Sequence, residues 1–213
     1  MRSTHWRNNL APGVLAAAAL LTVAWAWAGC RYGPHWYRFL SRTRPRGIII
    51  HHTASSGWRD GKLVDAAAID RDHALRGFVC PYHGKVYHIG YHYLILADGT
   101  VQPGRPEGAP GAHTIGHNDY LGICLVGNFS SLDNPDSKMQ PARPTPKQLE
   151  SLLALIRGLM SKYDFEVTDI HRHRDFWQTE CPGDRFPFAQ VIEGLRGASP
   201  STTGVDSPGH QGV

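Results

Sequence analysis

Residues 47–55 read GIIIHHTAS. Ile48, Ile49 and Ile50 are β-branched, the residue type that suits a pleated, buried strand. A short apolar run that ends in a polar loop reads as a buried strand, here Ile48 to His51. The two histidines are the unusual part, because a buried strand normally ends on a turn residue. Successive strand residues point to opposite faces. If the strand continues through the pair, His51 and His52 cannot enter the same site.

The rest of the chain supplies partners for such a strand. VDAAAIDRDHALRG, residues 64–77, reads as a helix closed by Gly77. GYHYLILADGTVQPG, residues 90–104, is a hairpin: an aromatic and β-branched run, Asp98-Gly99 as the turn, then a return strand. LGICLVGNF, residues 121–129, is a second buried strand, and SSLDNPDSKMQPARP, residues 130–144, is a polar loop. Thr145 then caps a helix, with Pro146 at its first position and Gln148 completing a capping box. Leu149, Leu152, Leu153, Ile156, Leu159, Met160 and Tyr163 recur at helical spacing, so one face of that helix is buried. VTDIH, residues 167–171, reads as a further short strand ending at a histidine. Strands mixed with helices give a single α/β domain with a mixed sheet.

The two ends lie outside this domain. Residues 1–13 carry Arg2 and Arg7 and no acid, and Val14 to Ala28 is an uncharged apolar run of 15 residues. That is the layout of a secretory signal, and it is short of the roughly 20 residues of a membrane span. Two processing routes stay open: cleavage after Ala28, or lipidation of Cys30 in WAGC, where Trp27 stands in place of the usual Leu. An uncleaved membrane anchor is a third. The expected organisation is a signal or anchor over 1–30, a linker over 31–44, the folded domain over 45–196 and a disordered tail over 197–213. The net charge is +4, and removing Arg2 and Arg7 leaves +2. That excess is too small to argue for nucleic acid. It is compatible with an anionic cell-wall substrate.

Among 13 histidines, three sets stand out because a strand is expected to deliver them to a loop: His51/His52, His113/His117 and His171/His173. Cys181 follows in HRDFWQTECPG, with Pro182-Gly183 turning directly after it. Two imidazoles and a thiolate are sound zinc ligands, and three protein donors leave a fourth position open. Spacing alone admits another reading, hydrogen-bonded core histidines beside a buried thiol.

IIIHHTAS, GYHYLILADGTVQPGR, GAHTIGHND, LGICLVGNF and HRDFWQTECPGD follow one another in this order. Together they resemble the zinc N-acetylmuramoyl-L-alanine amidases, the type shared by phage lysozyme-amidases and peptidoglycan recognition proteins. The resemblance spans residues 47–188. It implies an α/β fold with a central mixed sheet flanked by helices and a Zn²⁺ cleft that cuts the amide between the lactyl group of muramic acid and L-alanine. It implies His51, His173 and Cys181 as metal ligands, with His51 held at the cleft floor and His52 facing away. Tyr91 and Thr179 correspond to hydroxyl groups placed to hydrogen-bond an oxyanion. His113, Asn118 and Arg105 match positions that line the cleft and bind substrate, Arg105 through a stem-peptide carboxylate unless it is simply a solvated surface residue. Some bacterial relatives place a glutamate base where Cys124 stands, and a buried thiol is a poor base at neutral pH. The proton acceptor therefore stays open. So does a Cys80–Cys124 disulfide, since buried strand cysteines are commonly free.

The sequence thus supports an exported zinc amidase of the periplasm or envelope, a monomer acting on peptidoglycan or muropeptides, without nucleic acid. A non-catalytic peptidoglycan-binding module on the same fold is the competing reading. It is disfavoured because all three ligands, Tyr91 and Thr179 are present. Residues 1–45 fused to a reporter active only after export should give signal. A silent reporter would return the protein to the cytoplasm, and an inhibitor of lipoprotein processing would separate Cys30 lipidation from cleavage after Ala28.

Overall fold

The computed structural model describes residues 44–197. The leader, linker and tail fall outside them, apart from Arg44 and Gly197. Strand β1 (Ile48–His52) is buried along its whole length and runs one residue further than the sequence suggested. It lies between two parallel neighbours, β8 (Leu121–Leu125) and β9 (Ile170–Arg172). On the far side of β8, β6 (Tyr93–Ile95) is also parallel, and β7 (Val101–Pro103) closes the edge antiparallel to β6. The order is β7-β6-β8-β1-β9, a mixed sheet as expected. The β6–β7 hairpin turns through Asp98-Gly99, where Gly99 takes a φ of +91°.

Helices cover both faces. Ile48 and Ile50 pack with Leu152, Ile156 and Leu159 of α2 (Pro146–Tyr163) and with Val191 and Leu195 of α3 (Phe188–Arg196). On the other face Leu94 and Cys124 pack with Ala68 and Ile69 of α1 (Ala66–Leu75). Two small antiparallel ribbons, β2 (Trp58–Arg59) with β3 (Lys62–Leu63) and β4 (Cys80–Tyr82) with β5 (Lys85–Tyr87), lie outside the main sheet. Among the described residues no helix is long and apolar enough to cross a membrane.

Several elements differ from the sequence reading: neither small ribbon was anticipated, and the strand expected over 121–129 ends at Leu125. VTDIH is not all strand: Val167–Asp169 forms a 3₁₀ turn, because the Asp169 carboxylate reaches back to the Glu166 N–H at 2.9 Å, and β9 begins only at Ile170. Helix α3, which follows Pro187, was not anticipated.

The α2 cap is as expected. The Thr145 hydroxyl accepts from the Gln148 N–H and the Gln148 side chain accepts from the Thr145 N–H, both at 3.1 Å. Gln148 does more than cap. It is fully buried, and its amide donates to the carbonyls of Val126 (2.9 Å) and Ile95 (3.2 Å), tying the helix start to the ends of β8 and β6. Gln148→Leu leaves those carbonyls and the Thr145 N–H without their side-chain partner in a dry site. It should lower unfolding stability by about 1–3 kcal/mol, read by urea denaturation; an unchanged midpoint would remove Gln148 from this role.

Candidate metal centre

Strand parity decides what enters the cleft. His51 and His52 leave β1 on opposite faces. His52 turns toward the α2–α3 side, where its Nδ1 accepts the Phe129 N–H at 3.1 Å. His51 turns the other way, 1% exposed, and meets two residues from the chain beyond β9. His173 opens a 3₁₀ turn (His173–Asp175) directly after that strand. Its ring centroid lies 4.6 Å from that of His51. Cys181 returns on the following loop, with its Sγ 3.6 Å from His51 Nδ1. One donor atom each from His51, His173 and Cys181 fall within 4.8 Å of one another.

The loop that brings Cys181 back is held at several points. Arg174 N–H donates to the Cys181 carbonyl at 3.0 Å, and Arg174 pairs with Glu180 at 3.1 Å. The Thr179 hydroxyl accepts from the Cys181 N–H at 3.2 Å. Gly183, at φ +97°, passes the Phe129 backbone so closely that a Cβ would sit 2.3 Å from it. The His52 N–H points at the Cys181 sulfur at 3.4 Å.

These donors fit a zinc ion. Bond lengths of about 2.0–2.1 Å to nitrogen and 2.3 Å to sulfur in a tetrahedron put the two atoms about 3.5–3.6 Å apart, which is the His51–Cys181 spacing. Burial drives the His51 imidazole well below its usual range, with the neighbouring His113, His173 and His52 adding to the effect. Burial also lowers His173. Both rings are therefore neutral, the form that binds metal. Burial pushes the Cys181 thiol up to about 12, against the opposing pull of the His52 N–H and Arg174. A thiol so placed ionises near neutrality when a cation shares the site.

Tyr91 lies over this cluster, its ring 5.3 Å from His51. It precedes β6 rather than belonging to it, and α1 holds the segment that carries it. Asp70 accepts the N–H groups of His88 (2.7 Å) and Ile89 (2.8 Å), and His73 Nδ1 accepts that of Gly90 (2.9 Å). Burial raises the Tyr91 phenol well above its usual value, assisted by the Cys124 and Cys181 sulfurs. Cys124 is itself raised well above the usual thiol range, by burial first. Cys80, Cys124 and Cys181 are all free thiols.

The three residues matched to cleft-lining positions are each held by the protein's own groups. Arg105 is not a solvated surface residue. It is 4% exposed, with Nε on the Ile89 carbonyl at 2.6 Å and Nη1 on that of Pro110 at 2.8 Å. The Asn118 carbonyl oxygen accepts the N–H groups of His113 (2.9 Å) and Thr114 (3.1 Å), closing the 111–118 loop. His113 is bonded through both ring nitrogens, to His51 and to the Tyr120 carbonyl. His117 and His171 stay out of the cluster and stack on Phe176, with centroids at 4.1 and 4.9 Å. The sequence reading missed His73 and Asp70; no spacing rule links α1 to residues 88–90.

Fold and site together define a mixed α/β protein with a candidate His/His/Cys metal centre on one face of its sheet. The chain belongs to the N-acetylmuramoyl-L-alanine amidase family, whose profile matches residues 41–184. It is 31% identical over 146 residues to the endolysin of Enterobacteria phage T3, covering 68% of this chain and 85% of the endolysin. Among solved structures it is similar to the endolysin amidase LysCS of Clostridium intestinale, with a TM-score of 0.57, 38% identity, and 73% and 86% of the two chains covered. A tyrosine-to-phenylalanine variant of Drosophila PGRP-LB, in complex with tracheal cytotoxin, is also similar: TM-score 0.52, 25% identity, 69% and 79% covered.

Two buried histidines beside the centre set a pH dependence. Burial holds His73 and His92 at about 4, against about 6.5 in an unfolded chain. Between those values the unfolded state binds more protons than the folded state, so stability rises with pH. The melting temperature of chelator-treated protein should be level above about pH 6.5 and fall steadily as the pH drops toward 4. A flat profile across that window would count against neutral buried imidazoles.

Proposed function

We propose that the chain is a zinc amidase that hydrolyses the bond between N-acetylmuramic acid and L-alanine in peptidoglycan or its fragments. His51, His173 and Cys181 hold the metal. The observation that carries this is the convergence of two neutral imidazoles and a buried thiol at zinc-ligand spacing on a family-matched fold. When bound, zinc supplies Lewis acidity toward the amide carbonyl and toward water. The alternative, a non-catalytic peptidoglycan-binding module, gains nothing from a complete donor set.

Tyr91 keeps its proton at neutral pH, so its phenol is a hydrogen-bond donor fixed by α1 and ready for a carbonyl oxygen that gains charge. Thr179 holds the Cys181 N–H, and its hydroxyl proton is left to point elsewhere. Cys124 is too weak an acid to act as base near pH 7. Arg105 and Asn118 serve substrate indirectly, by shaping the 105–118 loop. The leader exports the domain to the cell envelope, where this substrate lies. PGRP-LB in complex with tracheal cytotoxin is a related fold holding a ligand, which supports muropeptide as a substrate class.

Protein from residue 31 onward, added to purified sacculi, should release stem peptides with a free L-alanine amino terminus, read by mass spectrometry, and should carry close to one zinc per chain. Cys181→Ser should lose both metal and activity. Tyr91→Phe should keep its zinc and lose about 10²–10³ in kcat. Peptide release without metal, or full metal content in Cys181→Ser, would overturn the assignment.

A further inference from the structure

The notable feature of the cluster is what stands behind His51. Its Nδ1 faces the Cys181 sulfur, so Nε2 points away from the donor set. That nitrogen lies 3.1 Å from His113 Nδ1. The far nitrogen of His113, Nε2, lies 3.0 Å from the Tyr120 carbonyl. A carbonyl only accepts, so His113 carries its proton on Nε2 and leaves Nδ1 as an acceptor. His51 must then carry its proton on Nε2, which leaves Nδ1 bare on the side of His173 and Cys181. Backbone Tyr120 thus dictates, through two rings, which nitrogen of His51 is available to a metal. Thr114 borders the junction, its hydroxyl 3.2 Å from His113 Nδ1 and 3.5 Å from His51 Nε2.

The surroundings are shaped to hold the His113 ring. A Cβ at Gly111 would sit 2.4 Å from His113 Cδ2, and one at Gly122 would sit 2.5 Å from the same atom. Gly122 lies inside β8, where glycine weakens a strand. Its place there is explained by the imidazole lying against it. The Asn118 side chain fixes the His113 N–H from the other direction at 2.9 Å.

We infer that His113 is a positioning residue: it orients His51 and sets its tautomer for metal binding, and does not bind substrate through its ring nitrogens. This rests on the zinc reading above. Partners of this kind typically matter about 10- to 100-fold in metal affinity. Three proteins are compared by zinc competition against a chromophoric chelator: the unmodified chain, His113→Leu, and His113→Asn, whose amide oxygen can replace Nδ1 as acceptor. Melting temperatures check folding. His113→Leu should bind zinc about 10- to 100-fold more weakly, and His113→Asn should recover most of the loss. Equal affinity in all three, with zinc bound, overturns the inference while leaving the zinc reading intact. An unmodified chain that binds no zinc overturns the zinc reading itself. Nitrogen-15 NMR of the zinc-loaded unmodified chain decides the matter even if His113→Leu does not fold: His113 should be protonated on Nε2 and bare on Nδ1. A proton on His113 Nδ1 would also overturn it.

Discussion

The alternation of side chains along β1 is the constraint on which the site depends. The strand has a neighbour on each side and helices over both faces, so every residue it carries is buried. Its last two residues are imidazoles that must leave in opposite directions. His52 goes to the α2–α3 face and contributes a backbone N–H to the Cys181 sulfur and an acceptor to Phe129. His51 goes to the other face, into the candidate metal cluster with His173 and Cys181. A slip of one residue in register would exchange them and put the Phe129 partner in the cleft. The isoleucine run, locked between β8 and β9, is what prevents that slip.

Burial then sets the chemistry of the donors. Water would protonate or hydrogen-bond an exposed imidazole, and an exposed thiol would titrate near its ordinary value. Here desolvation keeps the histidines neutral and makes the bare thiol hard to ionise. Burial therefore disfavours the charged forms of these side chains taken alone and favours the state in which a cation compensates the sulfur. The same burial keeps Tyr91 protonated, so one cause acts on both the candidate ligands and the phenol beside them.

Local signals in the sequence were reliable where the physics is local. The capping box at Thr145, the Asp98-Gly99 turn and the buried run at Ile48 each depend on residues within a few positions of one another. The VTDIH segment misled because β-branched Val167 and Thr168 suit a strand, while the Asp169–Glu166 bond, a side-chain choice, bends the backbone first. Convergence of His51 with His173 and Cys181 was legible only through the family resemblance, since 130 positions separate Cys181 from His51. The burial of Arg105 was hidden for a related reason: arginine is usually exposed, and only tertiary structure shows that it donates to the backbone carbonyls of Ile89 and Pro110. The partner of His51 was illegible altogether, because a histidine in a loop carries no mark of which nitrogen it offers.

Cys124 shows what this pocket tolerates. It pairs in register with His51 and is completely buried. A glutamate there would be a second anion beside the Cys181 sulfur in a region that penalises charge, and it would need its own compensation. A thiol avoids that load because it stays neutral, its acidity suppressed by burial and by Cys181. The consequence is a division of labour. Burial holds both Tyr91 and Cys124 protonated, so neither is poised to accept a proton near neutral pH, and under the proposed function Tyr91 acts only as a hydrogen-bond donor. Under the zinc reading proposed above, such a site would keep a single anionic ligand, Cys181, and would take its proton acceptor from a group other than Cys124.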